Sequence, residues 1–469
     1  MPNPFSERLL LHVIREIKNG STKSKEELIN DILQKCFYTD SNANNQCEDQ
    51  GRNQNADEAQ FKKQFNEQAR DQIDGHIDDQ IEIAKNYLNF LFEETDVADV
   101  KPPLVKFLKP CTDCDSPSDC ERACPTNAIK INDEGIRIIN EDYCIECGYC
   151  VHACIGGVLA ERSDIAKVAQ LLFNASTGES IYAILAPSFV GQFGPGITPE
   201  QIVGALKILG FSDVYEVAMA ADIITTLEAK EFVERYHSQD PFMITSCCCP
   251  AFMRLIEITL PSLTAVVSNS VSPMIALGRL LKRSEPDCRV VFIGPCTAKK
   301  GESKLPDMKG AIDCVLTYKE MSLIFEVSDI GNLNTMPEIS LSNASHDGRI
   351  FAHTGGVTQA IKRAVQGIDP ECKIVAVRGN GIKECNELLK QRLAGMLKAN
   401  FMEGMACING CVGGPGTLID SSLGANYVNK HAKQADYLET LENLPALDFF
   451  RRTASTEELL SSKRRLSAK

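Results

Sequence analysis

The sequence predicts an α/β protein with largely parallel sheets, preceded by a small cysteine-rich α+β domain and by a helical region at the amino terminus. From about residue 159 to 450, short β-rich runs alternate with helical stretches, which is typical of parallel sheets whose strands are joined by helices. Eight cysteines are concentrated between residues 111 and 154. Apolar residues recur every three or four positions over residues 6–37 and roughly 57–94, as they do in amphipathic helices.

Length and composition limit what this chain can be. With 469 residues, it is expected to hold two to four domains, because one hydrophobic core rarely serves more than about 250–300 residues. The net charge of −14 argues against a nucleic-acid partner, since phosphate binding needs basic groups. We expect no membrane span and a cytoplasmic location, because the chain has no apolar run of about 18 residues and begins without a signal-peptide pattern.

The predicted elements divide the chain into four parts. Thr198 and Gln201 predict a capping box at the start of one helix of the α/β region. Strands are predicted at residues 181–186, 213–218, 242–245, 289–294, 311–317 and 373–379. The parts are a helical accessory region at 1–103 (with a polar loop at 41–58 and a linker at 96–103), a cysteine-rich domain at 104–158, an α/β region at 159–450 and a polar, frayed tail at 451–469.

Two closely spaced cysteine runs predict two metal clusters. The chain has 20 cysteines, and without an export signal they are best interpreted as metal ligands or redox groups rather than disulfides. In such runs the fourth cysteine ligates the other cluster. Two interleaved runs, one followed by Pro125, favour iron–sulfur over the alternative, zinc, and resemble bacterial-type ferredoxins. The predicted sets for two 4Fe–4S clusters are Cys111, Cys114, Cys120 and Cys154, and Cys144, Cys147, Cys150 and Cys124.

Three further cysteine motifs are scattered through the α/β region: TSCCCPAF at 245–252, GPCTAKK at 294–300 and MEGMACINGCVGG at 402–414. Cys407 and Cys411 are four residues apart and would share a face if they lay on a helix. By cysteine count alone, a third 4Fe–4S cluster is predicted on Cys249, Cys296, Cys407 and Cys411. Such a cluster gives Lys299 no obvious anionic partner, so a solvated surface lysine is the alternative.

In this order, and behind a ferredoxin-like domain, the three motifs resemble the signatures of FeFe-hydrogenases, over roughly residues 104–445. The resemblance implies the fold of their catalytic H-domain. It also implies an H-cluster, in which a 4Fe–4S cubane on the four cysteines just named is bridged through Cys411 to a diiron azadithiolate subsite with CO and CN ligands. Lys299 would then donate to a cyanide. Pro187, Ser188, Ser272, Pro273 and Met405 fall at pocket positions.

The same resemblance implies a proton path that runs from Cys248 through Glu228, Ser268 and Glu231 to solvent. Two registers stay open. Counting back from Pro250 makes Cys249 the ligand, Cys248 the relay thiol and Cys247 an extra residue. Matching the TS of the first motif instead makes Cys248 the ligand and Cys247 the relay.

The sequence also departs from the best-known enzymes of the family. The first motif has three cysteines instead of two, Gly294 stands where Met is common, Met274 stands where Gln is common, and the third motif ends in GGPG. This combination resembles the group B branch.

The function predicted from these motifs is reversible reduction of protons to dihydrogen, in anaerobic hydrogen metabolism. A ferredoxin-type electron carrier and the hydrogenase maturation machinery are the expected partners. Two alternatives are a low-activity hydrogen-sensing protein and a non-catalytic iron–sulfur electron-transfer or scaffold protein. The resemblance implies that hydrogenase-like proteins of cytosolic iron–sulfur assembly lack the complete motif set, so the presence of both Cys296 and Lys299 argues against them.

Overall fold

The computed structural model of the chain describes most of its residues. The polar loop predicted at 41–58, the predicted helical stretch from 57 to 76, nearly all of the linker predicted at 96–103 and the last seven residues lie outside the described part. The described residues are 4–21, 23–38, 77–93, 103–112, 114, 118–174, 178–238, 240–245, 247–341, 344–453 and 457–462.

The amino-terminal region is helical where it is described. It contains α1 (Pro4–Lys18), α2 (Lys25–Leu33), a short π-helix (Gln34–Tyr38) and α3 (Ile77–Leu91). The sequence predicted one helical stretch over 6–37, but helix α1 ends at Lys18, just before Gly20, whose φ is +71°. A capping box formed by Ser24 and Glu27 then starts α2.

The cysteine-rich region is built from very short elements. Strand β1 (Val105–Phe107) pairs antiparallel with β4 (Leu159–Glu161), and β2 (Ile129–Ile131) pairs with β3 (Arg137–Ile139). Two five-residue helices, α4 (Asp119–Ala123) and α5 (Tyr149–Ala153), complete it. Because so few residues lie in strands and helices, the backbone has little regular hydrogen bonding of its own.

Two parallel sheets form the centre of the α/β region, which confirms the predicted fold class. The strands are β5 (Ile181–Leu185), β6 (Asp213–Glu216), β7 (Met243–Ile244), β8 (Arg289–Gly294), β9 (Cys314–Thr317), β10 (Ala376–Asn380) and β11 (Phe401–Met405). One sheet has the strand order β6–β5–β8–β9 and the other has the order β10–β11–β7.

Helices surround these sheets. The capping box predicted from Thr198 and Gln201 is present at the start of α7 (Pro199–Leu209). Thr198 Oγ1 accepts from the Gln201 amide at 3.1 Å. The helices are α6 (Ile165–Phe173), α7 (Pro199–Leu209), α8 (Val217–Tyr236), α9 (Pro250–Thr259), α10 (Pro273–Ser284), α11 (Ala298–Glu302), α12 (Tyr318–Val327), α13 (His346–Arg349), α14 (Gly356–Ile368), α15 (Ile382–Leu393), α16 (Ser421–Ala432) and α17 (Leu444–Thr453).

Strand β11, the central strand of its sheet, was missed from the sequence. Four of its five residues, MEGM at 402–405, were assigned to the third cysteine motif, and Glu403 and Gly404 break the expected apolar run. In the fold all five residues are buried. Glu403 is accommodated because its carboxylate accepts from the amides of Gly355 and Thr358 at 2.7 and 2.8 Å, which compensates for its burial.

The end of the chain is not uniformly frayed, so the prediction of a frayed tail was wrong for residues 457–462. Leu460 is buried, and its carbonyl accepts from the Val271 amide at 2.9 Å. Arg279 donates to the Leu459 carbonyl at 2.7 Å. Because this segment is mostly polar, the sequence did not indicate that Leu460 would be buried. Among the described helices, none is long and apolar enough to cross a bilayer.

Candidate active site

The second predicted cluster set lies around one small cavity in the cysteine-rich region. Cys124, Cys144, Cys147 and Cys150 all line it, beside apolar side chains that include Ile129 and Ile145. Cys124 comes from the end of α4, so the thiol from the first run reaches the three thiols of the second, as the interleaved pattern predicts.

The other predicted set is held near a buried arginine. Arg137 donates to the Cys114 carbonyl at 2.7 Å and to Glu121 at 3.0 Å. Burial raises the pKa values of Cys111 and Cys120, and the nearby Cys154 sulfur raises both further. These three thiols are therefore neighbours. Cys114 is exposed at the edge of the group.

A larger cavity lies at the carboxyl ends of the strands of the two parallel sheets, where α/β folds bind their ligands. Cys249 follows β7 and caps α9, and Cys296 follows β8 after one proline. Cys407 and Cys411 follow β11. All four line the cavity, although Cys249 and Cys411 are 162 residues apart in the sequence.

The chemistry of this cavity suits an iron–sulfur group. Among the described residues that line it, thiols, the Met274 and Met405 thioethers and Lys299 are the polar side-chain groups. Burial raises the pKa values of Cys296 and Cys411 to about 12. These buried thiols therefore need a cation to ionise, and soft thiolate sets bind iron–sulfur clusters or zinc. The donor set fits a cubane with four cysteine ligands.

Lys299 lines the same cavity, but it does have an anionic partner in the protein. Its Nζ lies 2.7 Å from Glu302 Oε2, and both side chains are buried. Burial lowers the pKa of Lys299, but the adjacent Glu302 carboxylate outweighs this and raises it. The sequence interpretation overlooked Glu302, which lies three residues further along the one-turn helix α11. Lys299 is thus a buried ammonium at the cavity wall and not a surface lysine.

A chain of hydrogen bonds leads away from the cavity along α8. Glu228 is fully buried, and it accepts from Thr245 Oγ1 at 2.5 Å. Ser268 also lies close enough to Glu228 to lower the pKa of that carboxyl. The Ser268 hydroxyl donates to Glu231 Oε2 at 3.0 Å. Glu231 is paired with Arg235 at 2.7 Å near the surface. Glu228, Ser268 and Glu231 therefore lie in the order that was expected from the sequence.

The three adjacent cysteines, Cys247, Cys248 and Cys249, face two different surroundings. Cys248 and Cys249 line the cavity. Cys247 is buried, and its sulfur donates to Glu228 Oε1 at 3.3 Å. The expected relay thiol was Cys248, yet the thiol with a direct hydrogen bond to Glu228 is Cys247. Cys248 is close enough to Glu228 for that carboxylate to raise its pKa, although burial raises it most.

The comparisons with known proteins identify the family. Residues 179–415 match the family described as iron only hydrogenase large subunit, C-terminal domain. That match covers half of the chain. The chain belongs to the iron-only hydrogenase family. Residues 100–159 match a 4Fe-4S dicluster domain, so this hydrogenase-family protein carries a ferredoxin-like region before its catalytic-type domain.

The proteins that are similar in sequence to this chain include a hydrogenase and a protein that is not named as one. It is 30% identical over 307 residues to iron hydrogenase 1 of Clostridium pasteurianum, covering 55% of this chain and 53% of that one. It is 27% identical over 332 residues to the human nuclear prelamin A recognition factor, covering 58% of this chain and 73% of that one. The chain thus spans about half the length of the clostridial relative. An [FeFe]-hydrogenase of Chlamydomonas reinhardtii has the same fold, with a TM-score of 0.54 at 22% identity over 64% of this chain and 98% of that one.

The remaining pocket residues of this hydrogenase-family protein do not all reach the cavity. Pro187, Pro273 and Met405 line it. Ser188 is buried behind it, with its hydroxyl 2.8 Å from that of Tyr318. Ser272 caps α10 and accepts from the Ile275 amide at 3.4 Å. Both serines therefore stabilise the cavity wall through local hydrogen bonds.

Two sequence features of the hydrogenase motifs have structural explanations. A Cβ at Gly294 would lie 2.5 Å from the Phe292 ring, which lines the cavity. The Phe292 ring therefore occupies the space that a side chain at position 294 would need. Cys407 and Cys411 do not share a helix face as proposed, because Asn409 and Gly410 have φ values of +66° and +86° and form a turn between them.

Tyr149 connects the two cysteine regions, and no sequence signal marked it. Its hydroxyl donates to the Ala406 carbonyl at 3.1 Å, and it lies close enough to the Cys407 thiol to oppose the rise in pKa that burial causes there. Because Tyr149 precedes Cys150 in α5, one side chain joins the backbone of a ferredoxin-like ligand to a ligand of the large cavity. Arg254 of α9 also donates to the Cys144 carbonyl at 2.5 Å.

Proposed function

We propose that this protein is an FeFe-hydrogenase that catalyses 2H⁺ + 2e⁻ ⇌ H₂ with electrons from a ferredoxin-type carrier in the cytoplasm. The observation that carries the proposal is the convergence of Cys249, Cys296, Cys407 and Cys411 on one apolar cavity that also contains Lys299. Family membership supports the iron–sulfur chemistry. Reversible hydrogen turnover, the H-cluster and the group B assignment are the proposal.

The four cavity cysteines are the proposed ligands of the H-cluster cubane, with Cys411 as the bridge. When bound, the H-cluster supplies redox chemistry on protons and dihydrogen. Lys299 places a buried positive charge at the cavity wall, where it stabilises an anionic group because charge-assisted hydrogen bonds are strong in a desolvated site. Glu302 holds that ammonium in position and keeps it charged.

The protein contributes a proton relay. Burial raises the pKa of Glu228 to about 7, although hydrogen bonds from Thr245 and Ser268 oppose the rise. A carboxyl with a pKa near neutrality both accepts and releases a proton at working pH. The Ser268 hydroxyl, which donates to Glu231 Oε2 at 3.0 Å, is the proposed step between Glu228 and Glu231. Proton exchange with solvent then takes place at Glu231.

The ferredoxin-like region, proposed at residues 104–158, is suited to electron entry. Its two cysteine sets would hold two 4Fe–4S clusters, and Cys114 of the first set is exposed to solvent. The second set adjoins the catalytic-type domain through Tyr149 and Arg254. This arrangement supports an electron path from a ferredoxin-type partner to the large cavity. The proposal requires the maturation machinery that assembles the H-cluster.

A non-catalytic iron–sulfur protein is the second candidate, and one comparison favours it. The chain covers 73% of the human prelamin A recognition factor and 82% of the cytosolic iron-sulfur assembly component 3 of Pongo abelii, at 27% and 23% identity. These shares exceed the 53% that it covers of iron hydrogenase 1. Under this candidate, the large cavity would hold a cubane alone.

Infrared spectroscopy separates the two candidates. Protein matured under anaerobic conditions should show bands of metal-bound carbon monoxide and cyanide, and should hold about fourteen irons per chain as three cubanes and a diiron unit. It should evolve H₂ from reduced methyl viologen. Protein made without the maturation machinery should keep only the cubanes and be inactive. Matured protein with full cubanes but neither carbonyl bands nor H₂ production would instead support the scaffold candidate.

A further inference from the structure

A group of three metal-ligating side chains lies far along α8 from the cavity end, where α8 and α14 terminate. His237 caps the carboxyl end of α8, and Asp369 caps the carboxyl end of α14. Cys372 follows three residues later. One ligand atom from each of the three lies within 4.8 Å of the other two. None of them belongs to the cysteine motifs or to the proposed relay.

The distances between the three atoms match the edges of a metal-centred tetrahedron. His237 Nε2 lies 3.2 Å from Asp369 Oδ2, and Cys372 Sγ lies 3.3 Å from the same oxygen. Cys372 Sγ lies 3.7 Å from His237 Nε2. Ordinary tetrahedral bonds to zinc would separate nitrogen and oxygen by about 3.3 Å, and sulfur from either by about 3.5 Å. The three atoms would have to move by only a few tenths of an ångström.

The surroundings favour a cation. The second oxygen of Asp369 is already used, because Oδ1 accepts from the Glu371 amide at 3.0 Å. This leaves Oδ2 directed toward His237 and Cys372. The Cys372 thiol donates to Asp369 Oδ2, and a divalent ion that took the place of this proton would be shared by all three ligand atoms.

We propose that His237, Asp369 and Cys372 form a zinc site that is separate from the iron–sulfur centres. A set with one thiolate, one imidazole and one carboxylate suits Zn²⁺, whereas Mg²⁺ and Ca²⁺ prefer oxygen ligands. The His237 side chain is 61% exposed, so solvent reaches the ion and water completes the tetrahedron. The ion would join the end of α8, which carries Glu228 and Glu231, to the end of α14.

The test uses cluster-loaded protein, purified anaerobically, dialysed against a weak zinc chelator and then supplied with ZnCl₂. We expect about one zinc per chain by elemental analysis, with iron content unchanged. X-ray absorption at the zinc edge should show one sulfur and three nitrogen or oxygen neighbours, as this ligand set requires. Zinc with four sulfur neighbours would place the ion in a cluster site and overturn the proposal.

Variants locate the ion. His237→Gln alters an exposed side chain and should lose the zinc while keeping its iron. Cys372→Ser should do the same. His346→Gln is the matched control, because His346 also lies 3.1 Å from an aspartate, Asp347, but that pair appears in no three-ligand group of the described residues. Equal zinc in the wild type and His237→Gln would refute the site.

The stability readout is independent of hydrogenase activity. Zinc should raise the thermal unfolding temperature of the wild type and of His346→Gln but not of His237→Gln, because only a folded-state site gains stability from its ligand. No zinc-dependent rise in the wild type would contradict a structural role for the ion. Neither outcome depends on whether the protein turns over hydrogen.

Discussion

The two cysteine regions of this protein hold similar ligands by different means. In the ferredoxin-like region, eight cysteines lie within 44 residues, and short strands and one-turn helices position them. In the catalytic-type domain, the four cavity cysteines come from three loops at the ends of β7, β8 and β11. The first region therefore depends on local spacing, and the second depends on the packing of two sheets.

The difference extends to charge. The first region has Arg137 beside Cys111 and Cys114, and this arginine is balanced by Glu121. The large cavity has Lys299, balanced by Glu302. Both cations are buried, but Lys299 lies on a cavity wall that thiols and apolar side chains otherwise form. A buried charge is costly to leave unpaired in either region, but Lys299 also lines the large cavity, so substitutions there should have the larger effects on turnover.

The largest expected effect comes from exchanging one ligand in each region. Cys411→Ser should abolish H₂ evolution, since it removes the proposed bridge and a cubane ligand from the buried cavity. Cys154→Ser should remove about four irons from the ferredoxin-like region but retain carbonyl bands. Iron analysis, infrared spectra and turnover with reduced methyl viologen measure these effects. If the carbonyl bands were lost in Cys154→Ser and kept in Cys411→Ser, the two roles would be reversed.

The adjacent lysines provide a matched pair. Lys299 and Lys300 are both buried, and each is bound to carboxylates, Lys300 to Glu161 and Glu320. Either change to Met removes the ammonium that pairs with these carboxylates and should cost about 3–5 kcal/mol of stability. Only Lys299 lines the cavity. Lys299→Met should lower turnover by a factor on the order of 100 or more.

Carbonyl band intensity per cubane distinguishes this effect from destabilisation. It should fall in Lys299→Met and persist in Lys300→Met. Equal intensity in the two folded variants would show that Lys299 acts through stability alone.

The next largest effect separates the neighbouring thiols. Cys248 faces the cavity, whereas Cys247 donates to Glu228. Cys248→Ala should lower turnover by about 10²–10⁴ while iron content and carbonyl bands persist, as expected for loss of a proton-transfer group. Cys247→Ser keeps a donor for Glu228 and should be mild.

The opposite ranking is equally informative. If Cys247→Ser were the damaging change, the direct hydrogen bond at 3.3 Å would identify Cys247 as the relay thiol. If Cys248→Ala lost the cubane, Cys248 would be a ligand and the assignment would shift by one residue.

The smallest expected effect is a pH dependence. The pKa of Glu228, raised to about 7 by burial, keeps this carboxyl neutral below that pH, and it ionises as the pH rises. H₂ evolution, which consumes protons, should therefore decline above about pH 7. Infrared titration should show a protonated carboxyl band that disappears with this pKa and is missing from Glu228→Gln. An identical titration in that variant would assign the band to another group, such as Asp222, whose pKa burial also raises to about 7.

The sequence predicted the fold class, most of the strands and the grouping of the cysteines, because these features are written in local patterns. Strand β5 was predicted within one residue of its observed end. Strand β11 was missed because Glu403 interrupts its apolar run, and only its long-range hydrogen bonds to the Gly355 and Thr358 amides make that carboxylate acceptable in a central strand.

What the sequence by itself determined is the ligand inventory: which residues can bind iron, and the interleaving of the two ferredoxin-like runs. Tertiary structure alone decided which groups surround them. It buries the local Lys299–Glu302 pair at the cavity wall, turns Cys247 toward Glu228 and Cys248 toward the cavity, and places Tyr149 beside Cys407. The physical reason is that metal-ligand spacing is a local property of the chain, whereas burial, pKa and hydrogen-bond partners depend on residues that only folding brings together.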